Sequence, residues 1–200
     1  MISYIPSKKE KYEIDSAVSK VLSKIKVKDA KAILGGSGAK NTWLPETHDI
    51  DIYVKFNYNR FKDKSELLSE VLYKNIKNKF RLTRLHGSRD YFQTKIGKFT
   101  VEIVPILDIK KASEAKNITD VSQLHVNYVK KYKKFANEIR LTKLFCKATE
   151  VYGAESYIQG FSGYVVELLV IYYKGFKNLI KNATKWKPKT IIGSKIDANN

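Results

Sequence analysis

Two aspartates stand two positions apart in Asp49-Ile50-Asp51-Ile52-Tyr53-Val54. Ile50, Ile52 and Val54 alternate with Asp49, Asp51 and Tyr53, the period of a half-buried strand. Side chains at i and i+2 leave one face of a strand, with Cα atoms roughly 6 to 7 Å apart. Like charges at that spacing repel, and a divalent cation between them reverses the sign of that energy. Mg²⁺ takes hard oxygen ligands, accepts one or two protein carboxylates and leaves positions for water and phosphate. Asp-x-Asp alone is a weak signal, since the pattern more often marks a solvated turn. Here the apolar positions pin the strand into a core, so the acids are expected at the rim of a sheet. A third acid, Glu102, lies in Phe99-Thr100-Val101-Glu102-Ile103-Val104-Pro105, expected to run beside residues 49–56. Three acids around two ions about 3.5 to 4 Å apart suit in-line displacement at phosphorus, one ion activating the attacking hydroxyl and the other holding the leaving pyrophosphate.

Upstream, Gly35-Gly36-Ser37-Gly38-Ala39-Lys40-Asn41-Thr42 follows a short strand candidate, Ala30 to Leu34. Backbone N–H groups at Gly36 and Ser37, with the Ser37 hydroxyl, are suited to cradling a triphosphate. The segment is not a Walker A loop, which needs Gly directly before the Lys and Ser or Thr directly after it; here the neighbours are Ala39 and Asn41. The dinucleotide fingerprint fails as well, because its third glycine is missing.

The elements that must position these groups read as follows. Ser7 and Glu10 stand at capping-box spacing, and Ile14, Ala17, Val18, Val21, Leu22 and Ile25 recur along one face of a helix. A short helix or turn is expected over 39–44, a strand over 49–56 and a helix over 64–77. Strands follow over 81–86, 90–95 and 98–106, the last two joined by a Gly97 hairpin. From Thr119 onward the signal is helical. This order predicts an α+β fold, a mixed sheet with flanking helices followed by a mainly helical second domain, with a boundary near 117. In the helix near 138–151 the spacing predicts a core stripe of Leu141, Leu144, Phe145, Ala148 and Val151, with Arg140, Lys143 and Lys147 on the opposite, solvated face.

The 200 residues carry 38 Lys and Arg against 20 Asp and Glu, a formal charge of +18, and 43% are hydrophobic. That excess suits a polyanionic partner, although a Lys-rich proteome produces it too. A single cysteine, Cys146, excludes an internal disulfide framework and fits a reducing compartment. The N-terminus has no apolar run, and the most apolar segment, Tyr164 to Tyr173, is broken by Glu167 and too short to span a bilayer. A soluble, cytoplasmic protein is expected.

Gly35 to Leu44 followed by Asp49 to Val54 resembles the signature of the archaeal-type (class I) CCA-adding enzymes, the tRNA nucleotidyltransferases. The Gly-Ser and Asp-x-Asp core alone marks only the nucleotidyltransferase superfamily; Lys40-Asn41-Thr42-Trp43-Leu44 is far more specific. Asp120 to His125, Ile139 to Lys143, Val151 to Glu155, and Gly160 to Tyr164 with Glu167-Leu168-Leu169 are similar to further family segments. The resemblance implies a polymerase β-like catalytic head over residues 1–117 and a helical central, or neck, domain over 118–200 that is incomplete relative to the family. It implies template-independent addition of CCA to the 3′ end of tRNA from CTP and ATP, with two Mg²⁺ ions and release of pyrophosphate. On the family's motifs, Asp49, Asp51 and Glu102 fall on metal-binding acids. Ser37 and Lys40 fall on triphosphate contacts, and His125, Lys143 and Tyr152 on nucleotide contacts.

The chain departs from the family in two respects. The third acid is usually Asp, and Glu102 carries a longer arm. The family also runs on into body and tail domains that grip tRNA, so a partner chain supplying them, or a homo-oligomer, is an expected partner. Other readings share these residues: an oligoadenylate or poly(A)-type nucleotidyltransferase uses the same acids on another acceptor, and a non-catalytic RNA-binding subunit uses only the charge. Trp43 is expected in the core, His48 in a turn and Cys146 beside the core stripe and inert.

Overall fold

The computed structural model describes residues 4–193. It divides into two compact units, Pro6–Tyr128 and a second beginning at Val129.

The first unit is built on a five-stranded mixed sheet. Helix α1 (Lys8–Lys24) precedes strand β1 (Ala30–Leu34), the one-turn helix α2 (Gly36–Lys40) and strand β2 (Asp49–Phe56). Helices α3 (Tyr58–Phe61) and α4 (Leu68–Ile76) then lead to β3 (Thr83–Leu85), β4 (Tyr91–Ile96) and β5 (Phe99–Leu107). The strand order is β1-β2-β5-β4-β3, with β2 and β5 parallel and the other neighbours antiparallel. A parallel pair needs a long crossover, and residues 57–98 supply it.

Alternation decides which face of the sheet is covered. Ile50, Ile52, Val54 and Phe56 of β2 are buried in register with Val101, Ile103 and Leu107 on β5. Ile14 and Val21 of α1 and Leu68, Leu72 and Ile76 of α4 belong to the same core, which Trp43 joins at 6% exposure. The intervening residues, Asp49, Asp51, Tyr53 and Glu102, are left on the other face.

The Ser7–Glu10 capping box forms: Ser7 Oγ accepts from Glu10 N at 3.2 Å, and Glu10 Oε2 accepts from Ser7 N at 2.8 Å. The same carboxylate accepts from Glu46 N at 2.9 Å, so the helix cap also ties down the loop that enters β2. These hydrogen bonds, from Ser7 and then Glu46, hold the Glu10 carboxyl below the usual carboxylate range. The expected strand limits hold to within a residue or two, and Gly97 makes the β4–β5 turn at φ +58°. The short helix after β1 begins at Gly36, earlier than the 39–44 expectation. The segment before α4, residues 62–67, is 3₁₀ rather than α-helical, with Lys64 outside helical geometry.

The first compact unit runs on into α5 (Ser122–Lys130) as far as Tyr128. Asp120 explains why residues beyond 117 stay with the sheet. Its fully buried carboxylate accepts from Arg89 Nη1 at 2.5 Å, Leu107 N at 2.9 Å, Asn117 N at 3.0 Å and Lys116 N at 3.1 Å. This stitches the segment after β5 onto the end of that strand.

In the second unit, α6 (Ala136–Ala148) packs on α7 (Gly163–Tyr173), and α7 on α8 (Phe176–Ala183). Ser162 caps α7 by accepting from Val165 N, and Glu138 accepts from Phe176 N at the start of α8. The expected α6 stripe is overturned. The buried residues are Ala136, Ile139, Arg140, Thr142, Lys143 and Cys146, while Phe145 and Val151 are 39% and 38% exposed. The reason lies on α7, where Glu167 sits fully buried between Val166 and Val170 and accepts from Lys143 Nζ at 2.8 Å. A buried counter-charge outweighs the apolar count, because a buried ammonium is tolerated when it is paired. Among the described residues no helix is long and apolar enough to cross a membrane.

Candidate active site: paired acids beneath a glycine turn

Parallel pairing of β2 with β5 sets Asp51 in register with Glu102, and Asp49 with Thr100. Register partners on neighbouring strands lie about 5 Å apart at Cα and project to the same side. The carboxyls of Asp51 and Glu102 therefore share one patch of the open face. On the far side of Glu102, β4 places Gln93 in register, and its Nε2 donates to Glu102 Oε1 at 3.5 Å. Burial pushes the Glu102 carboxyl above the ordinary carboxylate range, and the charges of Asp51 and then Asp49 push the same way, against the weak Gln93 hydrogen bond. At Glu102, repulsion from the neighbouring acids thus adds to the cost of burial.

The glycine turn closes over it. Gly35 N donates to Asp51 O at 2.8 Å, and Gly36 N donates to the Tyr53 hydroxyl at 3.2 Å. Gly36 has φ +50°, and a Cβ there would stand 1.6 Å from Asp51 Oδ2. Only glycine fits at that φ without striking the carboxylate. Ser37 and Lys40 follow in α2, both half-buried, and Asn41 ends the helix in a left-handed conformation. His48 is exposed, and its carbonyl continues the ladder by accepting from Thr100 N at 2.7 Å. His125 lies half-buried on α5, within the same unit.

The oxygen donors and their excess charge suit a divalent cation. Among the described residues, however, no three His, Cys, Asp or Glu side chains converge into a ready metal cage.

Lys143 and Tyr152 belong to the second unit. They meet there at Gly163, where a Cβ would come within 2.8 Å of the Tyr152 hydroxyl and 3.9 Å of Lys143 Cε. Burial, followed by the charge of Glu167, pushes the Tyr152 hydroxyl up, and Lys147 Nζ lies 5.5 Å over its ring. Cys146 is buried with its thiol pushed up by that burial, so little reactive thiolate forms. Two neighbours of these residues were not singled out from sequence. Gln93 is visible only once the β4–β5 register is known. Glu167 did carry a signal, as the one acid in the most apolar segment of the chain, and a buried charge there requires a partner.

Residues 137–200 match the family model described as tRNA nucleotidyltransferase, second domain. The CCA-adding enzyme of Nanoarchaeum equitans is 47% identical over 161 residues, covering 80% of this chain and 40% of that protein. The CCA-adding enzyme of Sulfurisphaera tokodaii is 35% identical over 192 residues, covering 94% of this chain and 45% of that protein. Among solved structures, the RNA terminal uridylyl transferase Cid1 superposes with a TM-score of 0.64 at 19% identity, over 85% of this chain and 49% of Cid1. CdnC from E. coli MS115-1, in complex with a HORMA protein, gives a TM-score of 0.61 at 17% identity, over 91% of this chain and 66% of the other. At those identities the likeness concerns the fold, which is polymerase β-like. The chain spans less than half the length of these two curated relatives. Across that span the chain is similar to the CCA-adding enzymes, and over residues 137–200 to the second domain of the tRNA nucleotidyltransferases.

Proposed function

We propose that the chain carries the nucleotidyl-transfer centre of a CCA-adding enzyme, building CCA on the 3′ end of tRNA from CTP and ATP with release of pyrophosphate. The observation that carries this reading is Asp51 in register with Glu102 beneath Gly36, with Asp51 and Asp49 both acting to weaken the acidity of Glu102. Asp49, Asp51 and Glu102 would hold two Mg²⁺ ions, which supply activation of the attacking hydroxyl and charge neutralisation at the phosphates. Gly36, Ser37 and Lys40 are assigned to the triphosphate, and His125, Lys143 and Tyr152 to the nucleotide. A side chain at position 36 would run into Asp51 Oδ2, and Tyr53 holds the turn by accepting from Gly36 N. The Lys143 ammonium is buried and held in a fixed position by Glu167, 2.8 Å away.

The test is Mg²⁺-dependent labelling of a tRNA lacking its 3′ end, by the full chain with and without a second chain supplying the rest of the family's length. CTP and ATP should be incorporated in preference to GTP and UTP. Asp51→Ala should reduce incorporation about 10³-fold or more, since metal-held charge stabilisation is worth several kcal/mol, while circular dichroism shows an intact fold. Labelling absent under both conditions, or near-normal turnover by Asp51→Ala, would overturn the reading. Preferential poly(A) synthesis on unrelated RNA would reassign the acceptor.

A further inference from the structure

Strand β4 outruns its edge neighbour. β3 pairs only with Tyr91–Gln93, so the end of β4 at Thr94–Ile96 has a partner on the β5 side alone. A cavity of about 570 Å³ opens there, between that edge, the segment after α4 and the last turn of α1. Four cations line it: Lys24, Lys79, Arg81 and Lys95, all exposed. Phe80, 9% exposed, also lines it, with Lys24 Nζ 5.5 Å over its ring. No carboxylate lines the cavity.

Each cation has an ordinary explanation taken singly. A lysine in the last turn of a helix complements the helix dipole, which covers Lys24. An edge lysine discourages strand addition, which covers Lys95. Neither account explains why four converge on one concavity without a counter-charge. The contrast is with a neighbouring surface of the same unit, where Arg84 pairs with Glu70 and Asp90. Around the cavity none of the four cations forms an ion pair among the described residues. Gln93 adds a direction. It lines the cavity and also donates to Glu102, so one side chain joins the basic cavity to the acid patch.

We propose that this cavity binds the phosphodiester backbone of an RNA strand whose 3′ end is directed toward Asp51 and Glu102. Unpaired, exposed cations in a concavity are suited to neutralising successive phosphates and releasing their counterions. The proposal rests on the function proposed above only in taking the substrate to be RNA, and binding can be measured without turnover.

The experiment is fluorescence anisotropy of a labelled single-stranded RNA with the full chain, without divalent ions or nucleotide, over a range of salt. The variants are Lys79→Glu/Arg81→Glu/Lys95→Glu and the milder Lys79→Gln/Arg81→Gln/Lys95→Gln. The control is Lys26→Glu/Lys28→Glu/Lys31→Glu, which makes the same charge change at another lysine-lined cavity with no link to Glu102. RNA affinity should fall about 10- to 100-fold at moderate salt in the first variant. Its log–log salt dependence should become shallower by about 2, from roughly 0.7 per lost phosphate contact on a single strand. The Gln variant should fall in between and the control should change much less. Equal losses in control and test variants would mean that overall basicity carries binding, overturning the proposal. So would unchanged RNA binding accompanied by lost binding of CTP or pyrophosphate, which would make the cavity a site for free phosphate groups. Absent CCA addition with the expected RNA-binding pattern would overturn the catalytic reading and leave this one standing.

Discussion

Glu102 and Asp120 belong to the same unit and are both withdrawn from water, yet their acidities move in opposite directions. Asp120 is the more deeply buried, and burial opposes its ionisation; Arg89, then the Leu107 and Lys116 amides, outweigh it and hold the carboxyl below the usual range. Glu102 is half-buried with one long hydrogen bond from Gln93, and its acidity is weakened by burial and by Asp51 and Asp49. Depth does not distinguish the two sites; the number of donors supplied by the fold does. Where donors are supplied the carboxylate is structural, and where they are withheld its charge is left for a ligand to meet.

Asp120→Ala tests the structural side and should show the largest effect. It leaves the Arg89 guanidinium buried without its partner, a change that typically costs about 3 to 5 kcal/mol, readable by urea denaturation. The sign with pH follows from the lowered acidity. The stabilisation is fully present above the unfolded-state value near 3.9 and is lost as pH falls through the lower folded value. The wild type should therefore lose stability on acidification below about pH 4, and the variant should show a flatter acid limb there. Equal acid limbs in the two proteins would remove Asp120 from the latch role.

Gly36→Ala tests the other side. A methyl carbon 1.6 Å from Asp51 Oδ2 at a φ of +50° must displace either the turn or the carboxylate. Misplacement of a reacting group by about 1 Å costs on the order of 10²-fold, so nucleotide incorporation should fall about that much in steady-state assays. Global stability should change far less than in Asp120→Ala. Unaltered turnover would separate the glycine turn from the chemistry.

The smallest effect is expected from Glu102→Gln without divalent ions. Removing one of two like charges in register should stabilise the fold by about 1 kcal/mol or less, a rise in Tm of about 2 to 4 °C for a chain of this size. Mg²⁺ should then raise the Tm of the wild type more than that of the variant. A variant less stable than the wild type would mean that Glu102 is satisfied by its surroundings as Asp120 is.

Much of the first unit was legible in the sequence because its signals are local. Alternation of Ile50, Ile52 and Val54 marks β2 and its two faces, Ser7 and Glu10 mark the start of α1, and Gly97 marks a hairpin. That the strand carrying Glu102 runs beside β2 was anticipated, but the register that sets Asp51 against Glu102 was not. The buried face of α6 was misread, because the residue that reverses it, Glu167, lies on another helix 24 positions from Lys143. Asp120 was read as part of a motif and not as a buried latch, since its donors come from Arg89, Leu107, Lys116 and Asn117. Wherever the deciding partner is distant in sequence, periodicity and capping rules have nothing to act on.

The parallel junction of β2 and β5 also orders events in time. Asp51 emerges during synthesis well before Glu102, and a chain grows at about 5 to 20 residues per second. The hairpin of β4 and β5 closes locally, whereas β2 must wait for a strand some fifty residues later and pay the loop-closure entropy of that separation. During that interval β2 has β1 at one edge and nothing at the other, so its hydrogen-bonding groups there stay open to other chains. Assembly of the acid patch is thus coupled to completion of the sheet, and a nascent chain too short to contain β5 cannot carry the Asp51–Glu102 pair.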